Sequence, residues 1–297
     1  MYYYLLYRIG QFIVLSLPLK LAYKLAVFFS DIHYFFAKQD RINVTENLKS
    51  IFPEKNEHEI SRLRLQTFRN FAKYLVDFFR FSKIDKEFIK KKVKVENAHY
   101  INECLSKGKG VIALSAHIGN WELGGIVIAL LEYPFFAVAL PHRHKKVNDF
   151  FNHQRAMKGM KTIPFGRAAR QSLDALRENN IVALAGDRDF SGKGLVLDFF
   201  GRPTFLPVGV AAFALKTGSP IIPGFMIRNN DDTFTLRFEA PIEYIPTQSR
   251  DSDLVEITRR CKSIIESYIK KYPGQWCMFK KFWVDPKNHE KNLWMPV

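Results

Sequence analysis

Between Gly110 and Arg228 the chain alternates two kinds of segment, and few folds accept that pattern. One kind is a short unbroken apolar run: "GVIALSA" (110–116), "FFAVAL" (135–140), "IVALAG" (181–186) and "PIIPGFMIR" (220–228). Such runs are strands covered on both faces. The other kind is longer and helical: "NWELGGIVIALL" (120–131), "KVNDFFNHQRAMKGM" (146–160), "AARQSLDALRENN" (168–180) and "VGVAAFALKTG" (208–218), the last with Gly218 as its C-cap. "KTIPF" (161–165) and "TFTLRFEA" (233–240) add strands. A long helix over 252–272 is expected to open on Ser252 or Asp253. The expected fold is α/β: a mostly parallel central sheet flanked by helices, with an N-terminal amphipathic helical region.

That N-terminal region reads differently. Ile60, Leu63, Phe68, Phe71, Leu75, Phe78 and Phe79 recur at helical spacing. The lysine-rich stretch "KIDKEFIKKKVKVEN" follows and marks a boundary near residue 95. This divides the chain into a helical, membrane-associating region over 1–95 and one continuous α/β domain over 96–297. The first residues, "MYYYLLYRIGQFIVLSLPLKLAYKLAVFFSDIHYFFAK", are apolar and aromatic, but Arg8, Lys20 and Lys24 interrupt them. The uncharged run from Ile9 to Leu19 is shorter than the roughly 20 residues a span requires. No small-x-small cleavage site follows it, so a signal peptide is not expected. Two readings stay open. One is a pair of interfacial helices with aromatics at headgroup depth and cations against anionic lipid. The other is a helix pair packed on the protein's own core.

Composition narrows the function classes. Hydrophobic residues make up 47% of the 297 and include 27 phenylalanines, enough for a large core and against disorder. The formal charge of +16 asks for an anionic partner: nucleic acid, an anionic membrane or an acidic substrate. No RNP aromatic motif or RGG run supports nucleic acid. Cys104, Cys261 and Cys277 are few and widely spaced, which favours neither a disulfide framework nor zinc. His142, His144 and His153 lack metal spacing, so no metal is expected.

The segment with most chemical content is "SAHIGNWELGG" (115–125). His117 directly follows a strand, and Glu122 stands five residues on, in the first turns of a helix. Strand carboxyl ends of open α/β sheets gather ligand sites. A carboxylate that reaches the imidazole fixes its tautomer and makes it a general base. Gly119 allows close backbone approach. The strand "IVALAG" ends in Asp187, Arg188 and Asp189, so Asp187 could instead meet His117 across the sheet edge. Arg188 has the geometry to clamp a phosphate or carboxylate; the plainer reading is a surface salt-bridge set beside a Gly-rich hairpin. In "PHRHKKVNDFFNHQRAMKGMKTIPFGR", Arg155 and Arg167 are further anion-ligand candidates. No GxSxG elbow is present, and a His–acid pair without a nucleophile suits activation of a substrate hydroxyl.

The blocks "SAHIGNWELGG", "RAMKGMKTIPFG", "ALAGDRDFSGKGLVLDFFGRPTFLPVGVAAFALKTGSPIIPGF" and "YPGQWCMFKKFW" occur in that order. In this the chain resembles the lysophospholipid acyltransferase superfamily. Within it, the chain is similar to the bacterial lipid A late acyltransferases (lauroyl and myristoyl) and to phosphatidylinositol mannoside acyltransferases. The resemblance implies transfer of a fatty acyl group from acyl carrier protein or acyl-CoA to a hydroxyl of a membrane lipid, a lipid A precursor first. It implies a peripheral or monotopic protein on the cytoplasmic face of the inner membrane. It implies no cofactor, since a thioester is already activated, and no nucleic acid. His117, Glu122 and Asp187 form the implied catalytic set, with Glu122 ahead of Asp187 as the partner of His117. Asn120, Arg155, Arg167, Arg188 and Asp189 form the implied substrate-binding set. Ser115-Ala116 precedes the histidine where many members have Asn, and Glu122 stands where many have Asp. Alternatives remain an acyltransferase for an ornithine or glycine aminolipid or a lysophospholipid, and a non-catalytic lipid- or nucleic-acid-binding protein.

Overall fold

A computed structural model describes residues 2–247 and 249–283. Helices α1 (Tyr2–Ser16) and α2 (Leu19–Phe36) form the N-terminal pair. They part at Pro18, whose ring cannot continue a helix. α3 (Lys38–Ile51) and α4 (Glu57–Phe79) follow. α4 starts at Asn56 because a capping box closes there: Asn56 accepts from the Glu59 N–H while Glu59 accepts from the Asn56 N–H. The lysine-rich stretch forms regular structure. It holds α5 (Lys86–Lys92) and an edge strand, β1 (Val93–Glu96), so the sheet begins across the expected boundary.

α6 (His99–Leu105), β2 (Val111–Ser115), α7 (Trp121–Leu130), β3 (Phe135–Ala139), α8 (Lys145–Ala156), β4 (Lys161–Pro164), α9 (Ala168–Arg177) and β5 (Ile181–Ala185) continue the alternation. Strands β6 (Leu195–Phe199) and β7 (Arg202–Leu206) make a separate antiparallel hairpin. α10 (Gly209–Thr217), β8 (Ile221–Arg228), β9 (Phe234–Phe238) and α11 (Arg250–Lys271) complete the order. Gly218 caps α10 in the left-handed conformation, as its position suggests. α11 opens three residues earlier than expected, on Ser249, which accepts from the Ser252 N–H. Asp253 is buried one turn inside and accepts from the Thr247 backbone and hydroxyl instead.

The sheet has seven strands in the order β1-β9-β8-β2-β5-β3-β4. Every pairing is parallel except β8 with β9. Alternate side chains build two cores on its two faces. On β8, Ile222 and Met226 enter one core, while Ile221, Phe225 and Ile227 enter the other. The first core joins α1, α4, α7 and α8, through residues such as Val14, Phe78, Leu123 and Phe151. The second lies under α9, α10 and α11, with Leu176, Ala214 and Ile265. Helices from the first 80 residues therefore share a core with the sheet.

Phe78 carries that join. It is fully buried and stacks on Phe151 of α8 at 4.4 Å. Phe78→Ala is expected to cost about 3–5 kcal/mol by opening a cavity. Denaturant unfolding followed by circular dichroism should move as one transition. A split into two transitions would mean that helices and sheet fold apart.

Candidate active site

Two adjacent parallel strands fix the centre of the site. β2 and β5 pair with Val111 opposite Ile181 and Ser115 opposite Ala185. Two residues beyond each strand end, the same offset places His117 beside Asp187. The imidazole Nδ1 lies 2.8 Å from Asp187 Oδ1. The His117 backbone N–H donates to Oδ2 at 3.1 Å, and Trp276 Nε1 donates to the same oxygen at 3.2 Å. Asp187 is fully buried, and burial alone would raise its carboxyl. His117, Arg188 and Trp276 outweigh this and hold it well below the usual carboxylate range. A carboxylate only accepts, so Nδ1 carries a proton, and in the neutral ring Nε2 keeps its lone pair. Nε2 has no protein partner among the described residues, and the ring lines a cavity.

The loop that carries His117 is tightly held. Gly119 has φ +64°, and a Cβ there would meet the Met226 carbonyl at 2.0 Å, so no other residue fits. Its N–H donates to the Gln275 carbonyl at 2.9 Å, and the Cys277 N–H donates to the His117 carbonyl at 2.9 Å. Trp121 meets the imidazole edge-on at 5.0 Å and stacks on Tyr74.

Glu122, expected to orient His117, points elsewhere. Its carboxylate accepts from Arg155 Nε at 2.9 Å and Nη2 at 2.5 Å, bridging α7 to α8. Both side chains are 8% exposed, and both line the cavity. Residues five apart at a helix start diverge, because Glu122 already follows the helical turn while His117 lies before it. Arg155 is therefore spent on Glu122 rather than left open for an anion. Asn120 is 1% exposed and faces inward: Oδ1 caps α7 by accepting from the Leu123 N–H, and Nδ2 donates to Asp77 at 2.7 Å.

Arg188 does stand at the site. Its guanidinium donates to the Cys277 carbonyl, and Nε lies 3.8 Å from Asp187 without a hydrogen bond. Burial pulls its pKa down. Asp189 lines the cavity but ties its own loop, accepting from Ser191 N–H, Ser191 hydroxyl and Gly194 N–H. Arg167 is exposed beside α9, off the cavity wall.

The cavity measures about 740 Å³ and is mostly apolar. That lies within the range of small-molecule sites. Phe71, Tyr74, Trp121, Phe135 and Met226 form part of its wall, and His117, Arg188 and Lys193 are among its polar groups. Gly125 lines it where α7 packs closely on its neighbours, since a Cβ there would lie 2.9 Å from Met160 Sδ. Cys277 also reaches it, but burial pushes that thiol up to about 12, so it stays protonated and is a poor nucleophile.

Reasoning from residues alone did not give Trp276 or Asp77 a role. Trp276 lies in a block quoted only for its resemblance, far from Asp187 in sequence. Asp77 had a readable signal: a carboxylate within the apolar run "YLVDFF".

Residues 1–285 match the family described as bacterial lipid A biosynthesis acyltransferase. A phosphatidylinositol mannoside acyltransferase of Mycolicibacterium smegmatis is 24% identical over 226 residues, covering 75% of this chain and 72% of that protein. A lipid A biosynthesis acyltransferase of Haemophilus influenzae is 26% identical over 234 residues, 76% of this chain and 71% of its own length. The lipid A biosynthesis palmitoleoyltransferase of Escherichia coli K12 is 24% identical over 249 residues, 81% and 78%. With a match over nearly all of its length, the chain belongs to the bacterial lipid A biosynthesis acyltransferase family, and it is an acyltransferase acting on lipid acceptors.

Proposed function

We propose that the enzyme moves a fatty acyl group from a thioester, on acyl carrier protein or coenzyme A, to a hydroxyl of a membrane lipid, and that the acceptor is a lipid A precursor. One observation carries this reading: at the wall of an apolar cavity stands an Asp-held imidazole whose Nε2 has no partner among the described residues. The cavity suits an acyl chain, and the imidazole suits a hydroxyl. His117 Nε2 takes the hydroxyl proton as the oxygen attacks the thioester carbonyl. Asp187, ionised, stabilises the imidazolium that forms. The tetrahedral adduct collapses, the carbon–sulfur bond breaks, and the imidazolium returns its proton to the departing thiolate. The products are an ester and a thiol. Arg188 and Lys193 give the wall positive charge for an acceptor phosphate or the developing oxyanion. The family assignment favours lipid A; a phosphatidylinositol mannoside acceptor is the second reading, favoured by the mycobacterial relatives.

We further propose that α1 and α2 dock on the membrane. Exposed Leu5, Leu6, Ile9, Phe12 and Ile13 recur on α1 at helical spacing, and Phe28, Phe29, Ile32, Phe35 and Phe36 do so on α2. Exposed Arg8, Lys20 and Lys24 accompany them. Among the described residues no helix is long and apolar enough to cross a membrane. Stripes of this kind lie in the interface, and cations beside them favour anionic lipid.

Three experiments test these readings. His117→Ala is expected to lower kcat by about 10²–10⁴-fold in a thioester-to-lipid transfer assay. Transfer at the normal rate would remove His117 from the chemistry.

Asp187→Asn should give a loss of similar size with the fold intact. Because the Asp187 carboxyl is held low, it is ionised from about pH 6 to 9, and the loss should be the same across that window. Glu122→Gln is expected to act first on stability, since it leaves Arg155 buried without its counter-charge, at about 3–5 kcal/mol. If Glu122→Gln abolishes transfer at unchanged stability while Asp187→Asn stays active, the acid has been assigned to the wrong residue.

Phe12→Glu with Phe35→Glu, made in the full chain, should weaken flotation with anionic vesicles by about tenfold per residue, from the apolar area withheld from lipid. Unchanged flotation would return α1 and α2 to a purely structural role.

A further inference from the structure

Asp77 has no part in the chemistry above, yet four elements meet on it. It lies in α4, 3% exposed within an apolar run. Tyr23 of α2 donates its hydroxyl to Oδ1. Arg228 of β8 and Asn120 both donate to Oδ2, the latter at 2.7 Å. Asn120 stands three residues after His117 and begins α7: its side chain caps the helix, and its N–H donates to the Met226 carbonyl at 2.8 Å. The rest of the His117 loop is pinned by backbone bonds to Gln275 and Cys277. Gln275 in turn brackets Arg228, accepting from its N–H at 3.0 Å and donating to its carbonyl at 2.9 Å. Asp77 therefore grips both the loop and the strand end against which that loop is pinned.

Stability alone does not explain a buried carboxylate and guanidinium there, because apolar side chains of the same volume often serve as well. Hydrogen bonds add direction, and a carboxylate with three donors leaves Asn120 one place to be. We infer that Asp77 is the positioning residue of His117: through Asn120 it fixes the start of α7, and with it the imidazole and the Trp121 ring against it. The inference rests on His117 being the base proposed above.

A reciprocal exchange tests it. Asn120→Asp keeps an acceptor for the Leu123 N–H but sets a carboxylate against Asp77. Its kcat should fall by about tenfold to a hundredfold, the rate equivalent of one charge-assisted hydrogen bond, with KM for the thioester donor unchanged. The double variant Asp77→Asn/Asn120→Asp again faces one carboxylate with one carboxamide and keeps a counter-charge near Arg228. It should recover kcat to within about threefold of the parent. Asn120→Ser, whose hydroxyl caps α7 but is too short for Asp77, should show the same loss and serves if Asn120→Asp does not fold. Parental kcat per folded molecule in Asn120→Ser overturns the inference. So does an exchange that restores the melting temperature without restoring kcat. His117→Ala separates the layers: an active His117→Ala removes the base itself, whereas an inactive one beside a fully active Asn120→Ser removes only the role of Asp77.

Discussion

The parallel pairing of β2 with β5 is the constraint on which the site depends. Strand side chains alternate with period two, so a slip of one residue would send every side chain to the other face. Val182 and Leu114 would leave the core under α10 and α11, and Asp187 would no longer stand beside His117. The site therefore takes its register from the core. Burial of the apolar strands holds the dyad in line far more firmly than its own hydrogen bond does.

Polar groups behind the cavity wall answer to the same burial. Asp187 lies at the bottom of the site with three charged or polar neighbours, His117, Arg188 and Trp276, and desolvation is overcome by their sum. Glu122 and Arg155 form a second closed pair, which braces α7 against α8. Asp77 and Arg228 form a third, where α2, α4, α7 and β8 meet. Each charge has its partner from another element, as buried charges require. Arg188 differs: among the described residues its buried Nε has no hydrogen-bond partner, although the side chain lines the cavity.

Much of the fold could be read along the chain. Continuous apolar runs gave the central strands, Gly218 gave the end of α10, and Asn56 with Glu59 marks the start of α4. Short polar elements were less legible. β1 is a strand only because β9 pairs with it, and its lysines resemble a solvated stretch in isolation. The cap of α11 fell on Ser249 because Asp253 found Thr247, a contact set by how the preceding segment folds back.

For the site, sequence determined the chemistry available: a histidine after one strand, an acid after another, arginines nearby and enough apolar surface to line a cavity. It also carried the motif that placed the chain in its family. Tertiary structure decided which groups meet. Glu122 is close to His117 along the chain, but a helix turn rotates it toward Arg155. Asp187 is 70 residues away, yet equal offsets on paired parallel strands set it at 2.8 Å. Proximity in sequence binds side chains only within a turn or two. Beyond that, register and packing choose the partners, because they alone fix where separate segments lie.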